Sequence, residues 1–448
     1  MIFVKDIIDV CNGELICGDS NLECIHFSKD TRVINAGDVY VGIKGESFNG
    51  NDFYKEAFKK GANVCILDND TEIDDEYKKG NTIILVEDTI VCLQKLAKYK
   101  RSLYKIPVIG VTGSVGKTSV KDILYSVLST KYNVLCTRGN LNNHIGVPLT
   151  ILELNDSYEV LIVEMGMNHA GEMHNLSNIA KPTIAVITNV GTAHIGNLGS
   201  RENILKAKLE ILDGMNNGIL IINNDNDMLK TVDYNNLITV GINNDSDYKA
   251  YEIKEEAFSS GFYVNGEYVL LPVGSRAFIY NALFAFAVGV KLGMTLDEIS
   301  DALRDFKLTP HRLELIKTNK LNIIDDTYNA SFDSVKNSLE LLSKVDDRKV
   351  FIFADILELD EYGESIHTKI GDVVIENDID VLITVGNLSK YTYEIANNNN
   401  RICYHFDNND LLLEKIDQIL KKEDTVLIKG SNGMRLIEVV NYLKDNYL

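Results

Sequence analysis

Lys117 and Thr118 close the segment GVTGSVGKTS at 110–119, where an apolar run, PVIGV at 107–111, feeds a glycine-rich turn that opens a helical pattern. In that setting backbone N–H groups converge on phosphate oxygens. Gly113 and Gly116 let the chain turn, Thr112, Ser114 and Val115 complete the turn, and the helix N-terminus adds about half a positive charge. Lys117 would reach the β- and γ-phosphates of a nucleotide, and Thr118 would offer its hydroxyl to Mg²⁺. The strict pattern GxxxxGK[ST] fails at one place, since Val111 stands where its first glycine belongs.

Glu164 ends the apolar run VLIVE, and His194 lies in the loop GTAHIG after IAVITNV. Carboxyl ends of strands beside a phosphate loop are where α/β sheets gather ligands. A carboxylate and an imidazole there could share a divalent cation, although Mg²⁺ prefers oxygen. Solvation or a local hydrogen bond is the other reading of a lone loop histidine. Lys208 is more informative. At 100° per residue, Ile204, Leu205, Leu209, Ile211, Leu212 and Met215 form one apolar arc, with Lys208 in its middle and Lys206 and Glu210 on the polar side. A lysine stem can snorkel out of such a place. If desolvated instead, its ammonium titrates low and the amine becomes nucleophilic, able to take up CO₂ as a carbamate that offers two oxygens to a cation.

These residues require elements to hold them. At roughly 150 residues per domain, 448 residues make about three. The first block, 1–104, has short buried strands at 39–43, 63–67 and 82–86, with helices over 52–60 and 89–104. The second, 105–310, has strands at 107–111, 160–164, 184–190 and 219–223, with helices at 117–129, near 200–213 and near 278–292. The third, 311–448, follows the HRLE segment at 311–314 with strands at 321–325, 350–355, 381–386 and 425–430. Apolar runs without alternation mark strands covered on both faces. Their alternation with helices predicts an α/β protein with doubly wound sheets in the second and third blocks.

Composition excludes several classes. The formal net charge is −20, which repels polyanions and argues against nucleic acid and anionic membranes as partners. A small phosphorylated substrate needs only a local nest of N–H groups and remains compatible. Seven cysteines, none with CxxC spacing, fit reduced thiols better than a disulfide framework or a zinc site. No 18 apolar residues run together, so no stable membrane insertion is expected and a cytoplasmic place is the default.

The TGS before GKT resembles the phosphate loop of the Mur ligases, ATP-dependent enzymes that add amino acids to UDP-linked peptidoglycan precursors. RGNLNNHIGVPLT at 138–150, EMGMNHAGEM at 164–173, DDTYNAS at 325–331 and VLIKGSNGM at 426–434 resemble the branch that adds D-alanyl-D-alanine. SKDTRVINAGDVYVGIKGE at 28–46 resembles the family's uridine-binding domain, and the DNPR signature of a neighbouring branch is absent.

The resemblance implies a three-domain architecture: a small α/β substrate domain, a central P-loop domain and a Rossmann-like C-terminal domain. It implies a monomer that uses ATP and two Mg²⁺, for which Mn²⁺ can stand in, and joins D-alanyl-D-alanine to UDP-N-acetylmuramoyl-tripeptide. Glu164, His194 and a carbamylated Lys208 match the metal ligands. Asn281 matches the adenine contact, Arg312 the γ-phosphate arginine, and Asp326 and Tyr328 the nucleotide contacts. Asn329 and Ala330 match the amine site. The 28–46 and 138–150 segments place Ser28, Asp30, Thr31, Arg32, Asn140, Asn142 and Asn143 against the UDP substrate. The chain departs from the family at Ala277-Phe278, where His-Asn is usual, at Ser331-Phe332 for Asn-Pro, and at Ala354 for Gly. These departures bear on nucleotide affinity and on which amine is used. Two rivals stand beside this reading: a ligase of the same superfamily with another amine, and a non-ligating P-loop module, although the NKxD motif of P-loop switches does not occur.

Overall fold

The computed structural model describes residues 1–45 and 47–447. Glu46, the last residue of the uridine-domain resemblance, lies outside the described residues, as does Leu448. Three main sheets follow one another along the chain. Their strands lie within 14–86, 108–271 and 314–429.

In the first sheet, Thr82–Val86, Val64–Asp68, Val39–Val41 and Phe27–Ser28 run parallel in that order, with Glu14–Cys17 antiparallel on the outer edge. The helix Thr89–Ser102 starts where Asp88 accepts the Val91 N–H, and its buried Cys92, Leu93, Leu96 and Ala97 share a core with these strands. The expected helix over 52–60 is a 3₁₀ turn, Gly50–Phe53, running into the α-helix Tyr54–Lys59.

The central sheet is built around Val108–Thr112, with Val160–Glu164 on one side and Ile184–Ile187 on the other, all parallel. Strand order reverses about Val108–Thr112, so a crevice opens at the carboxyl ends of these three strands. That geometry alone gathers the phosphate loop, Glu164 and the loop that carries His194. The sheet is not purely parallel. Beyond Leu237–Gly241 it continues through Tyr248–Glu255 into an antiparallel meander, Ser260–Val264 and Glu267–Leu271. A search for unbroken apolar runs passes over these strands, because EYVLL alternates between exposed and buried residues and antiparallel sheets can leave one face in water. The helix Arg276–Lys291 buries eleven residues, Asn281 among them.

The third sheet has the order Glu314–Lys317, Asn322–Asp326, Thr425–Lys429, Lys349–Ala354, Val381–Val385 and Ile402–Phe406, parallel except for the first. Thr425–Lys429 and Val381–Val385 are buried throughout, whereas the outermost strand Ile402–Phe406 is half exposed and gives no apolar run. Between the second and third sheets, the Thr309 hydroxyl donates to Asp122 at 2.5 Å, and Lys344 pairs with Glu255. Among the described residues no helix is long and apolar enough to cross a membrane.

Candidate active site

The phosphate loop is shaped largely by the end of the neighbouring strand. Gly113 and Gly116 have φ of +152° and +85°. The Thr188 hydroxyl donates to the Val115 carbonyl at 2.6 Å. Asn189 accepts the Ser114 N–H on its carbonyl (3.1 Å) and the Val115 N–H on its side chain (2.9 Å). The expectation that the whole turn aims its N–H groups at phosphate is therefore corrected: those of Ser114 and Val115 are already spent on Asn189. What remains for an anion is the start of the helix Lys117–Leu128, whose first N–H groups have no acceptor within the helix. Lys117 Nζ donates to the Gly113 carbonyl at 2.8 Å, folding the lysine over the loop. Burial lowers its pKa; Glu164 opposes that shift and Arg312 adds to it.

A Cβ at Gly113 would stand 1.9 Å from Thr188 Oγ1. Gly113→Ala must therefore displace the threonine that holds Val115 and strain the backbone, at about 1–3 kcal/mol. We expect a lower Tm and a KM for ATP raised about tenfold or more, since 1.4 kcal/mol is a factor of ten, measured by thermal unfolding and steady-state kinetics.

Three more groups belong to this site: Glu164 and His194 at the carboxyl ends of strands, and Lys208 on a helix. Glu164 is 2 % exposed; its Oε1 accepts the Asn142 amide at 2.8 Å, and its Oε2 is buried with no hydrogen-bond partner. His194 caps the turn Ile195–Leu198 with φ +63°. Burial pushes its pKa down to about 4, with the charges of Lys117 and Lys208 acting in the same direction. The imidazole is thus neutral near pH 7, the form that binds metals. Lys208 is 1 % exposed and Lys206 is exposed. Burial first, and the Lys117 charge second, hold the Lys208 ammonium well below its ordinary pKa. The helix that carries it is α-helical over Arg201–Leu209 and ends in a 3₁₀ turn, Glu210–Leu212. An orphaned carboxylate oxygen, a neutral imidazole, the half-buried Thr118 and a buried amine fit a divalent cation, provided that the lysine enters as an anion.

The third block adds its own groups. The Arg312 guanidinium lies over the Tyr328 ring, 3.9 Å from its centroid, and its Nε is buried without a partner. Asp326 accepts from Lys429 Nζ at 2.5 Å and from the Ser338 hydroxyl at 2.6 Å. Lys429 also donates to the Asn329 carbonyl, and Asn329 Oδ1 accepts the Ala330 N–H. Asn281 Oδ1 stands beside Gly116, 3.8 Å from where a Cβ would be.

Sequence reasoning missed several of these contributors. Lys429 is one, and a lysine at the end of the buried run TVLIK was its signal. Thr188 and Asn189 are others, without any distinctive pattern. Asp333 is a fourth: its carboxylate crosses to the second block, where a Cβ at Gly191 would meet Oδ2 at 2.6 Å. Burial raises its pKa, with Arg201 and Lys336 opposing.

The departures have local roles. Phe278 is buried against Phe306. Ser331 caps the helix Phe332–Leu342, and Asp355, next to Ala354, accepts the N–H groups of Asn387, Leu388 and Ser389.

The residues expected against the UDP substrate are scattered. Ser28 and Arg32 bond to Asp30, and Thr31 donates to Glu56; all of this is local to the first sheet. Asn140 is exposed, and Asn143 accepts the N–H groups of Ile145 and Gly146. Only Asn142 of this set reaches the Glu164 cluster.

A P-loop protein whose third α/β block carries an arginine back toward the phosphate lysine is the class that fold and site define. Residues 111–289 match the Mur ligase middle domain, and residues 311–432 the Mur ligase, glutamate ligase domain. The chain belongs to the Mur ligase family. It is 35 % identical over 455 residues to the UDP-N-acetylmuramoyl-tripeptide--D-alanyl-D-alanine ligase of Bacillus subtilis, covering 99 % of each chain. Among solved structures, MurF from Acinetobacter baumannii superposes with a TM-score of 0.88 at 28 % identity, over 99 % of both chains. MurF ligase from Thermotoga maritima, in complex with ADP, gives 0.81 at 29 % identity, covering 94 % of this chain and 97 % of that one.

Proposed function

We propose that this chain joins D-alanyl-D-alanine to UDP-N-acetylmuramoyl-tripeptide with conversion of ATP to ADP and phosphate, a step in making peptidoglycan precursors. The observation that carries the reading is that Lys117, Glu164, His194 and the helix-borne Lys208 act on one another's charge at the carboxyl end of the central sheet, with Arg312 brought within electrostatic reach of Lys117. The domains are taken as 1–104 for the UDP moiety, 105–310 for ATP and 311–448 for the amine.

The tripeptide's terminal carboxylate attacks the γ-phosphorus, the bond to the β-phosphate oxygen breaks, and an acyl phosphate and ADP result. The amine then adds to the acyl carbon, and the tetrahedral adduct expels phosphate. In the first step two anions must approach one another, so catalysis is chiefly charge neutralisation and positioning. Lys117 lies along the phosphates, and Arg312 meets the transferred group. Thr118, Glu164, His194 and Lys208 as a carbamate would hold two Mg²⁺, which supply positive charge to the phosphate oxygens when bound. The neutral Lys208 amine forms its N–C bond to CO₂ and releases one proton, so that the buried site gains an anion where it had a base. Asn281, Asp326 and Tyr328, with Thr112, Gly113 and Gly116, hold the nucleotide, while Ser114 and Val115 shape the loop through their bonds to Asn189. Asn329 and Ala330 line the amine's approach. Ser28, Asp30, Thr31, Arg32, Asn140, Asn142 and Asn143 serve the UDP substrate.

Phosphate release assayed with a panel of amines tests this reading. We expect release to need both UDP-tripeptide and D-alanyl-D-alanine, with single amino acids giving little. A faster rate with another amine would move the chain to a different ligase specificity. Release independent of UDP-peptide would remove ligation altogether.

A further inference from the structure

Arg312 sits between two residues with left-handed backbone, His311 at φ +65° and Leu313 at φ +53°. Leucine seldom takes that conformation, and histidine takes it more readily than most but still uncommonly. Such strain persists only where the surroundings over-determine it, and at His311 they do. Its N–H donates to Glu314 Oε2 at 3.1 Å, and its carbonyl accepts the Tyr328 N–H at 3.2 Å. Its ring Nδ1 bonds Asp325 Oδ2 at 2.7 Å. Asp325 is 1 % exposed, inside the strand Asn322–Asp326, and its other oxygen accepts the Thr327 N–H and hydroxyl. Strand pairing sets Glu314 opposite Asp325. Every polar group that His311 uses here is thus tied to the end of the sheet that also carries Tyr328. The adjacent Arg312 comes out over the Tyr328 ring at 3.9 Å, with its Nε buried and unbonded.

We propose that His311 is a positioning residue, a clasp on Asp325 that fixes the strained turn and so the aim of the Arg312 guanidinium. This rests on the reading of Arg312 as a phosphate-directed arginine. A cation held by His311, Glu314 and Asp325, whose ligand atoms lie within 4.8 Å of one another, is the weaker account of the cluster, because the 2.7 Å contact already pairs Nδ1 with the carboxylate.

The test is a double-mutant cycle on the full chain, assayed with ATP, UDP-tripeptide and the amine the panel favours. Glycine accepts a positive φ without strain, so His311→Gly removes the ring tie while sparing the backbone. We expect its kcat to fall about tenfold to a hundredfold, the scale of a small misplacement at a reacting centre. UDP-tripeptide affinity should be unchanged, and Asp325→Asn should reproduce the loss. In an Arg312→Ala background, adding His311→Gly should cost little more, since the two changes remove one function. If Arg312→Ala is damaging and His311→Gly keeps wild-type kcat, or if the His311→Gly loss persists in full without Arg312, the positioning role is overturned. If Arg312→Ala itself keeps wild-type kcat, the phosphate role of Arg312 falls, and the positioning role with it.

Discussion

Replacing Lys117 with Ala should abolish ligation, by at least about a thousandfold, the scale of losing a charged donor at a site of developing negative charge, while UDP-tripeptide binding stays intact. Lys117 begins the helix that follows the glycine turn, and it is the cation nearest the turn's own carbonyls. Its loss leaves the triphosphate facing an incoming carboxylate with one positive charge fewer. The UDP substrate is expected at the first sheet, where the local bonds around Asp30 do not involve Lys117. Calorimetric titration with UDP-tripeptide, beside a coupled ADP assay, separates the two quantities. Near-normal turnover by the variant would remove the phosphate loop from the mechanism.

Lys208→Ala should cost most of the activity as well, for the opposite electrostatic reason. A lysine at 1 % exposure beside a second cation is poorly placed to carry charge and well placed to lose it. As a carbamate it contributes two oxygens. Losing such a metal contact during phosphoryl transfer costs several kcal/mol, at ~1.4 kcal/mol per tenfold in rate. Formate or acetate should restore part of the rate by filling the vacated space. Lys208→Arg should fail, because a guanidinium stays protonated and forms no carbamate. Lys206→Ala, on the exposed face of the same helix, should be nearly silent. Full activity in Lys208→Arg, or damage from Lys206→Ala, would return Lys208 to a structural role.

Features with a short-range signature were legible in the sequence. The phosphate loop announces itself through an apolar strand, two glycines and a helix within about a dozen residues, and the structure has strand, turn and helix in that order. Lys208 was separable from Lys206 by helical periodicity alone, and burial divides them the same way. The antiparallel meander over 248–271 was not legible, because alternating strands lack the apolar run used to find the parallel ones. Asn189 was invisible for another reason: an asparagine after a strand has no pattern, and its two bonds to Ser114 and Val115 close only when strands more than seventy residues apart pair. Lys429 meets Asp326 across 103 residues, so the pairing that engages both charges cannot be read from either segment.

The segment 188–194 has a consequence for how the ligands communicate. Thr188 and Asn189 set the curvature of the phosphate loop, and His194, five residues beyond Asn189, stands at the proposed metal site. One short stretch of backbone is therefore shared by the phosphate loop and the proposed metal site. Reciprocity of binding free energies then makes cation and nucleotide mutual effectors: the factor by which Mg²⁺ tightens ATP must equal the factor by which ATP tightens Mg²⁺. A change at Asn189 would act on that shared factor and leave the UDP substrate's affinity outside the exchange.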